Sequence, residues 1–362
     1  MIYEYLLTFI LAFFTVFGIT PFIIKFAYKY NFVDNPNYRK VHKKATPLMG
    51  GISVFIGFFI FSIYNVFISQ HRAFNTNFLG YLMGAVLIVL VGMIDDKYGM
   101  RPIIKLLGQL LVCLIFIYSN NLFNLLGPYY ISIPVITLWM VGLMNAFNFL
   151  DNMDGILSGM AGILAIGFYL IGIMSHSSIP AIISQNNFIS LFSITFAGAV
   201  LGFLPFNFNP AKIFLGDAGS MFIGYFLSTM GILSGRLLTN KMQSELYYFL
   251  PILLLSYAIF DISLVSYTRK RDGRKVSQGG KDHSTHRIGT AIGSTPLTAI
   301  IVYGINILIV LLTICIYKVG SEYLLIISTV LISFIFLILG RKLDKIPIKI
   351  TRNQLKKEKN AN

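Results

Sequence analysis

Charge is scarce in this chain. Only 12% of its 362 residues are Asp, Glu, Lys or Arg, about half the share found in soluble domains, which is too little to clothe a globule of this size in a water-facing surface. A soluble globular protein is excluded. Acidic residues are scarcer still, 14 against 29 Lys and Arg, so each of them stands out. Cysteine is nearly absent: Cys113 and Cys315 both fall in apolar runs, which rules out a disulfide framework or a cysteine metal cluster. No internal repeat is present, and the one biased segment is the basic tail KIPIKITRNQLKKEKNAN, read as solvated or bound to headgroups.

What is abundant is apolar. Hydrophobic residues make up 56% of the chain and aromatics 15%. A bilayer core offers no water to the backbone, so a span must be a helix or a closed barrel. The apolar runs are about 17 to 22 residues long and lack the period-two alternation of barrel strands. The chain therefore reads as an all-α polytopic membrane protein with eleven spans at 5–26, 50–68, 78–94, 103–118, 131–150, 156–174, 189–206, 220–233, 246–266, 296–316 and 323–339. The eighth is short and reads as broken or tilted. MIYEY is not basic and no small-residue cleavage site follows the first run, so that run is a span and not a signal peptide. Residues 1–340 form one transmembrane domain and 341–362 a basic tail.

All but four of the 29 Lys and Arg residues, the exceptions being Arg72, Arg236, Lys241 and Lys318, fall on one side of this topology. The positive-inside bias places the N-terminus outside and the C-terminus in the cytoplasm. The net charge of +15 follows from that topology and calls for no nucleic acid.

Five acids lie at cytoplasmic span ends: Asp95 and Asp96 in GMIDDKYG, Asp151 and Asp154 in NAFNFLDNMDG, and Asp217 in FNFNPAKIFLGDAGS. Anions gathered at one level are costly unless they share a cation, and Mg²⁺, with Mn²⁺ as a substitute, prefers carboxylate and phosphate oxygens. Neighbouring helical residues diverge by about 100°, so at most one of Asp95 and Asp96 faces a shared metal. Asn145, Asn148, Asp151 and Asp154 recur every third residue and read as a polar stripe at a helix end. The loop RKRDGRKVSQGGKDHSTHR gathers Lys281, Asp282, His283, His286 and Arg287, donors for phosphate oxygens. His71 and His176 read as solvated on external loops. Asp261, inside the ninth span, reads as paired with an Arg or Lys or as support for the polar cluster.

These motifs, with DNPNYRKVHKKATPLMGGI and GMIDDKYGMRPIIKLLGQ, occur in the order found in the polyprenyl-phosphate N-acetylhexosamine-1-phosphate transferases, which the chain resembles over nearly its whole length. The resemblance implies a plasma-membrane enzyme with about ten or eleven spans and a cytoplasmic-face site. The implied reaction moves a sugar 1-phosphate from a UDP-amino sugar to undecaprenyl or a related polyprenyl phosphate, releases UMP, and uses Mg²⁺. It implies Asp95, Asp96, His283 and His286 as catalytic, and Asp217 with Asp96 at the metal. Lys105, Asn148, Asp151, Asp154, Asn207, Phe214, Arg287, Arg39 and His42 are implied to bind substrate, Phe214 by stacking on uracil. A homodimer is also implied. Many members read His-x-His-His-Arg where this chain has His283, Ser284, Thr285, His286 and Arg287; the missing triple-histidine run points away from the phospho-N-acetylmuramoyl-pentapeptide branch. Direct in-line attack by the lipid phosphate is favoured over a phospho-aspartyl intermediate, because a phosphate monoester with a second pKa near 6 is already ionised. A different UDP-amino sugar is the alternative donor. An ion-coupled transporter is the alternative class, but its acids belong at the membrane midplane, often within paired repeats.

Overall fold

The computed structural model describes residues 2–34, 45–68, 76–175, 180–276 and 280–347. Apart from a two-residue antiparallel ladder, β1 (Val33–Asp34) with β2 (Thr46–Pro47), and one 3-10 turn at Glu245–Tyr248, the regular structure is α-helical. The helices are α1 (Ile2–Lys29), α2 (Gly50–Ile68), α3 (Thr76–Tyr98), α4 (Pro102–Ser119), α5 (Tyr129–Leu150), α6 (Ile156–Met174), α7 (Pro180–Asn207), α8 (Gly216–Met242), α9 (Phe249–Leu254), α10 (Ser256–Arg271), α11 (Ser284–Ile292), α12 (Thr295–Val319) and α13 (Glu322–Asp344). Among the described residues, nine helices are long and apolar enough to cross a membrane, or ten if a bent pair counts as one, and Gly50–Val66 is apolar but shorter. The chain is a multi-pass membrane protein. By length and composition nine or ten spans count among the described residues, where the sequence predicts eleven; the predicted second span is the shorter apolar helix.

Two segments depart from their expected shapes. The eighth, read as short and broken or tilted, is the unbroken 27-residue α8. Its Gly, Ser and Thr residues hide it from an apolar-run reading, yet most of it is buried inside the protein, where small side chains that let backbones approach are more useful than lipid-facing bulk. The ninth is broken instead: Glu245–Leu254 and Ser256–Arg271 meet at a 71° bend.

Helix α8 is the hub, packed against α2, α3, α5, α6 and α7. Two glycines set how closely its N-terminus is approached. A Cβ on Gly92 of α3 would lie 2.4 Å from the Ala218 backbone, and one on Gly51 of α2 would lie 2.2 Å from Gly219. Farther along, Phe58, Phe196, Phe222 and Phe226 lock α2, α7 and α8 together, with Phe196 and Phe226 stacked at 3.8 Å. Such ring pairs contribute about 0.5–1.5 kcal/mol each beyond area burial. The first turn of α8 is thereby held against the last turn of α3, where the adjacent acids lie.

Candidate active site

Asp95 and Asp96 turn to different partners, as their helical offset requires. Asp96 Oδ1 accepts the Asp217 N–H at 2.8 Å and Asp96 Oδ2 the Ala218 N–H at 3.1 Å. The opening amides of a helix have no partner within it, and the residue before α8 is Leu215, which caps nothing. Asp96 is thus a cap supplied by another helix. Asp95 instead accepts the Met100 N–H at 2.7 Å and lies 2.9 Å from Lys105 Nζ, with the Asp217 carboxyl in hydrogen-bond reach.

Lys105, from the first turn of α4, joins four helices. Its Nζ is 2.5 Å from Asp217 Oδ2 and 3.4 Å from Asn148 Oδ1. Asn148 in turn donates to Asp217 Oδ1 and to Ser220 Oγ, both at 2.8 Å. The ends of α3, α4, α5 and α8 therefore meet at one carboxylate, Asp217, shared between a lysine and an amide.

The expected polar stripe is divided. Helix α5 stops at Leu150, and Asp151 already has non-helical backbone. Asn145 donates to Gln109 Oε1 at 3.0 Å, on α4. Asp154 Oδ2 ties down the loop before α8, accepting Asn209 Nδ2 at 2.9 Å and the Ala211 N–H at 3.0 Å. Among the described residues no donor answers Asp151; burial first, then the charges of Asp217 and Asp154, push it up to about 8.

That surplus of negative charge suits a cation. Among the described residues no three His, Cys, Asp or Glu groups stand close enough to chelate one, but Mg²⁺ keeps several waters and takes one or two carboxylates plus substrate phosphates. Asp217 and Asp151 fit this role by chemistry and position. Asp96 fits it less well: its two oxygens hold backbone amides of α8 that cannot turn aside, whereas those of Asp217 hold the side chains of Asn148 and Lys105, which can.

The remaining predicted residues divide between the site and its scaffold. Asn207 is buried, accepting from Ser158 Oγ at 2.7 Å and donating to the Ile213 carbonyl at 3.1 Å; it braces the loop before α8. Phe214 anchors that loop through its backbone, its N–H on the Pro47 carbonyl at 2.8 Å and its carbonyl on the Gly50 N–H at 3.0 Å. His283 and His286 open α11, with their rings 5.8 Å apart. Arg287, expected to face the diphosphate, is buried and turned toward α13, donating to the Asp282 and Leu343 carbonyls at 2.9 and 3.0 Å and lying 3.4 Å from Asp344 Oδ1. Its other terminal nitrogen, Nη2, is buried without a protein partner among the described residues. Helix α13 reaches this contact by continuing through residue 341 to Asp344. Arg39, His42, His71 and His176 lie outside the described residues.

The sequence profile described as glycosyl transferase family 4 matches residues 78–235, the stretch that carries Asp95, Asp96, Lys105, Asn148 and Asp217. A Bacillus subtilis protein named as a probable undecaprenyl-phosphate N-acetylglucosaminyl 1-phosphate transferase is 31% identical over 304 residues, covering 82% of this chain and 80% of its own. The chain belongs to glycosyl transferase family 4. A Mycobacterium tuberculosis member named decaprenyl-phosphate N-acetylglucosaminephosphotransferase is 29% identical, with coverage of 71% and 68%. A Staphylococcus epidermidis member named phospho-N-acetylmuramoyl-pentapeptide-transferase is also 29% identical but covers 63% of this chain and 74% of its own. Within family 4 the chain sides with the N-acetylglucosamine 1-phosphate branch.

Several site residues of this family 4 member escape a sequence reading. Asn152 accepts from Thr285 Oγ1 at 2.7 Å, and Arg269 grips Asp282 with two bonds of 2.9 and 2.7 Å. Burial opposes the Asp282 charge, but the bonds and charges of Arg269, with His283 and Arg274, hold it down at about 2. Nothing local in the sequence pairs residues so far apart. His286 is the reverse case. Burial, reinforced by the His283 charge, pushes its imidazole down from 6.5 to about 4, and its Nδ1 is buried without a partner among the described residues. A folded pKa below the unfolded one means that the unfolded chain takes up the proton first, so stability falls as pH drops from 6.5 toward about 4. The thermal unfolding temperature of the wild type should decline across that window more steeply than that of His286→Gln; equal slopes would remove His286 as the cause.

Proposed function

We propose that this protein transfers an N-acetylhexosamine 1-phosphate, N-acetylglucosamine 1-phosphate first among them, from its UDP-sugar to undecaprenyl or a related polyprenyl phosphate, releasing UMP. The observation that carries this reading is the junction of Lys105, Asp95, Asn148 and Asp217 beside the unanswered Asp151, at one end of an apolar bundle. It offers a cation and carboxylates where a lipid-borne phosphate meets a nucleotide. The biased distribution of Lys and Arg supports a cytoplasmic-face site in the plasma membrane, and a homodimer belongs to the same reading by resemblance to the family.

Both substrates are anions, so bringing their phosphates together is the main barrier. Lys105 lowers it by presenting a charge that two carboxylates hold in place. Asp217 and Asp151 would hold Mg²⁺, which when bound screens the phosphate oxygens and offsets charge on the departing nucleotide. Asp95 orients the lipid phosphate, which is already ionised near neutral pH and needs no strong base. Asp96 acts at a distance, keeping the first turn of α8, and Asp217 with it, in place.

The test is nucleotide release by detergent-purified protein given undecaprenyl phosphate, UDP-N-acetylglucosamine and Mg²⁺. UMP release that needs the lipid and stops with EDTA is the expected result. Release of UDP would mean ordinary glycosyl transfer and overturn the mechanism, and activity that survives full chelation would remove the metal.

A further inference from the structure

Asp261 of α10 is wholly buried and touches none of the carboxylates at the α3–α8 junction. A buried carboxylate is expensive unless donors surround it. Three do: His283 Nδ1 at 2.8 Å, the Ser284 N–H at 2.7 Å and the Ser284 hydroxyl at 2.5 Å. Tyr257, one turn earlier on α10, lies 3.0 Å from the same Ser284 hydroxyl. The sequence suggested an Arg or Lys partner, but the nearby Arg269 is spent on Asp282 and on the Val276 carbonyl. The imidazole is the charge partner that Asp261 has.

An ionised carboxylate can only accept, so His283 Nδ1 carries the proton of that bond. The inward nitrogen is then the protonated one, and Nε2 has no protein partner among the described residues. The ring is held edge-on to Phe149 at 5.9 Å, next to Asn148 in sequence, and Thr285, two residues on, donates from Oγ1 to Asn152 Oδ1, beside Asp151. Thr285 stands where many family members carry the middle histidine, and the hydroxyls of Ser284 and Thr285 clasp α11 to α10 on one side and to the Asp151–Asp154 turn on the other.

We infer that Asp261 is a positioning residue: it holds His283 with Nδ1–H turned inward and Nε2 turned outward, where the protonated ring donates to a phosphate oxygen of the reacting substrates, with Ser284 and Thr285 completing the clasp. The orientation of the ring stands on geometry alone; its use on phosphate rests on the proposed function.

Nitrogen NMR of protein labelled with ¹⁵N-histidine tests the first part without any turnover. The wild type should show one Nδ1–H histidine signal that disappears in His283→Gln, persists in Asp261→Asn, which keeps an acceptor oxygen, and gives way to Nε2–H in Asp261→Ala. A wild-type His283 protonated solely at Nε2 would overturn the inference. Turnover tests the second part. Asp261→Ala should cut UMP release by about 100-fold and Asp261→Asn by about 10-fold, with the KM for UDP-sugar changed less than about 2-fold. In a His283→Gln background, Asp261→Ala should cost less than about 2-fold more, because the two act as a unit. Losses that multiply instead would make Asp261 a structural residue. Should Asp261→Ala fail to fold, Asp261→Asn read in the same double-mutant cycle decides the point. A wild type that releases no UMP would overturn the functional reading, while the nitrogen signals still settle the role of Asp261.

Discussion

Asp217→Asn should lower lipid-dependent UMP release by about 10³-fold while the protein stays folded. Asp217 is the one carboxylate bonded at once to Lys105, at 2.5 Å, and to Asn148, at 2.8 Å. An asparagine there has a single acceptor oxygen for those two donors, and its own NH₂ must face one of them. It also removes the charge that, with Asp95, holds Lys105 in place, and it weakens the oxygen donor we assign to the metal. The α8 backbone is untouched, since the Asp217 N–H still meets Asp96. Steady-state rates at saturating UDP-sugar, paired with a thermal unfolding curve, measure both halves. A loss of less than about tenfold would place the chemistry elsewhere.

The adjacent acids should separate into different phenotypes. In Asp96→Asn one of the two α8 amides loses its acceptor and faces an N–H instead, at a cost of about 1–3 kcal/mol for a stranded donor. The cap itself accounts for about 1 kcal/mol of that. The unfolding temperature should fall by a few degrees, and turnover by about 100-fold as Asp217 drifts with its helix. Asp95→Asn keeps an oxygen for the Met100 N–H and gives up the Lys105 pair at 2.9 Å. Turnover should fall comparably with the unfolding temperature near that of the wild type. Matching stability losses in both variants would refute the division of labour between them.

The legible part of this protein is what local chemistry dictates. Asp95, Asp96, Asp151, Asp154 and Asp217 are conspicuous because they interrupt long apolar runs, and interruptions at span ends mark the water line. Lys105 and Asn148 were readable through family resemblance, and the structure brings both to Asp217. Other roles were not readable. Asp96 and Ala218 are distant in sequence, so no spacing rule finds a cap delivered from another helix. Arg287 looked like a phosphate ligand in a basic loop, and its burial against α13 depends on how a helix far down the chain packs. Helix α8 looked broken because a reading tuned to lipid-facing bulk misses a helix surrounded by protein.

The amino-acid sequence by itself determined that this is a helical membrane protein with a carboxylate-rich end, because hydrocarbon forces the backbone to satisfy itself and expels unpaired charge. Only the tertiary structure decided which carboxylate meets lysine, which caps a helix and which holds a histidine. Hydrogen bonds of 2.5 to 3.1 Å are made or missed by the packing of helices distant in sequence, here by glycines such as Gly92 and Gly51 that let two backbones close on the first turn of α8.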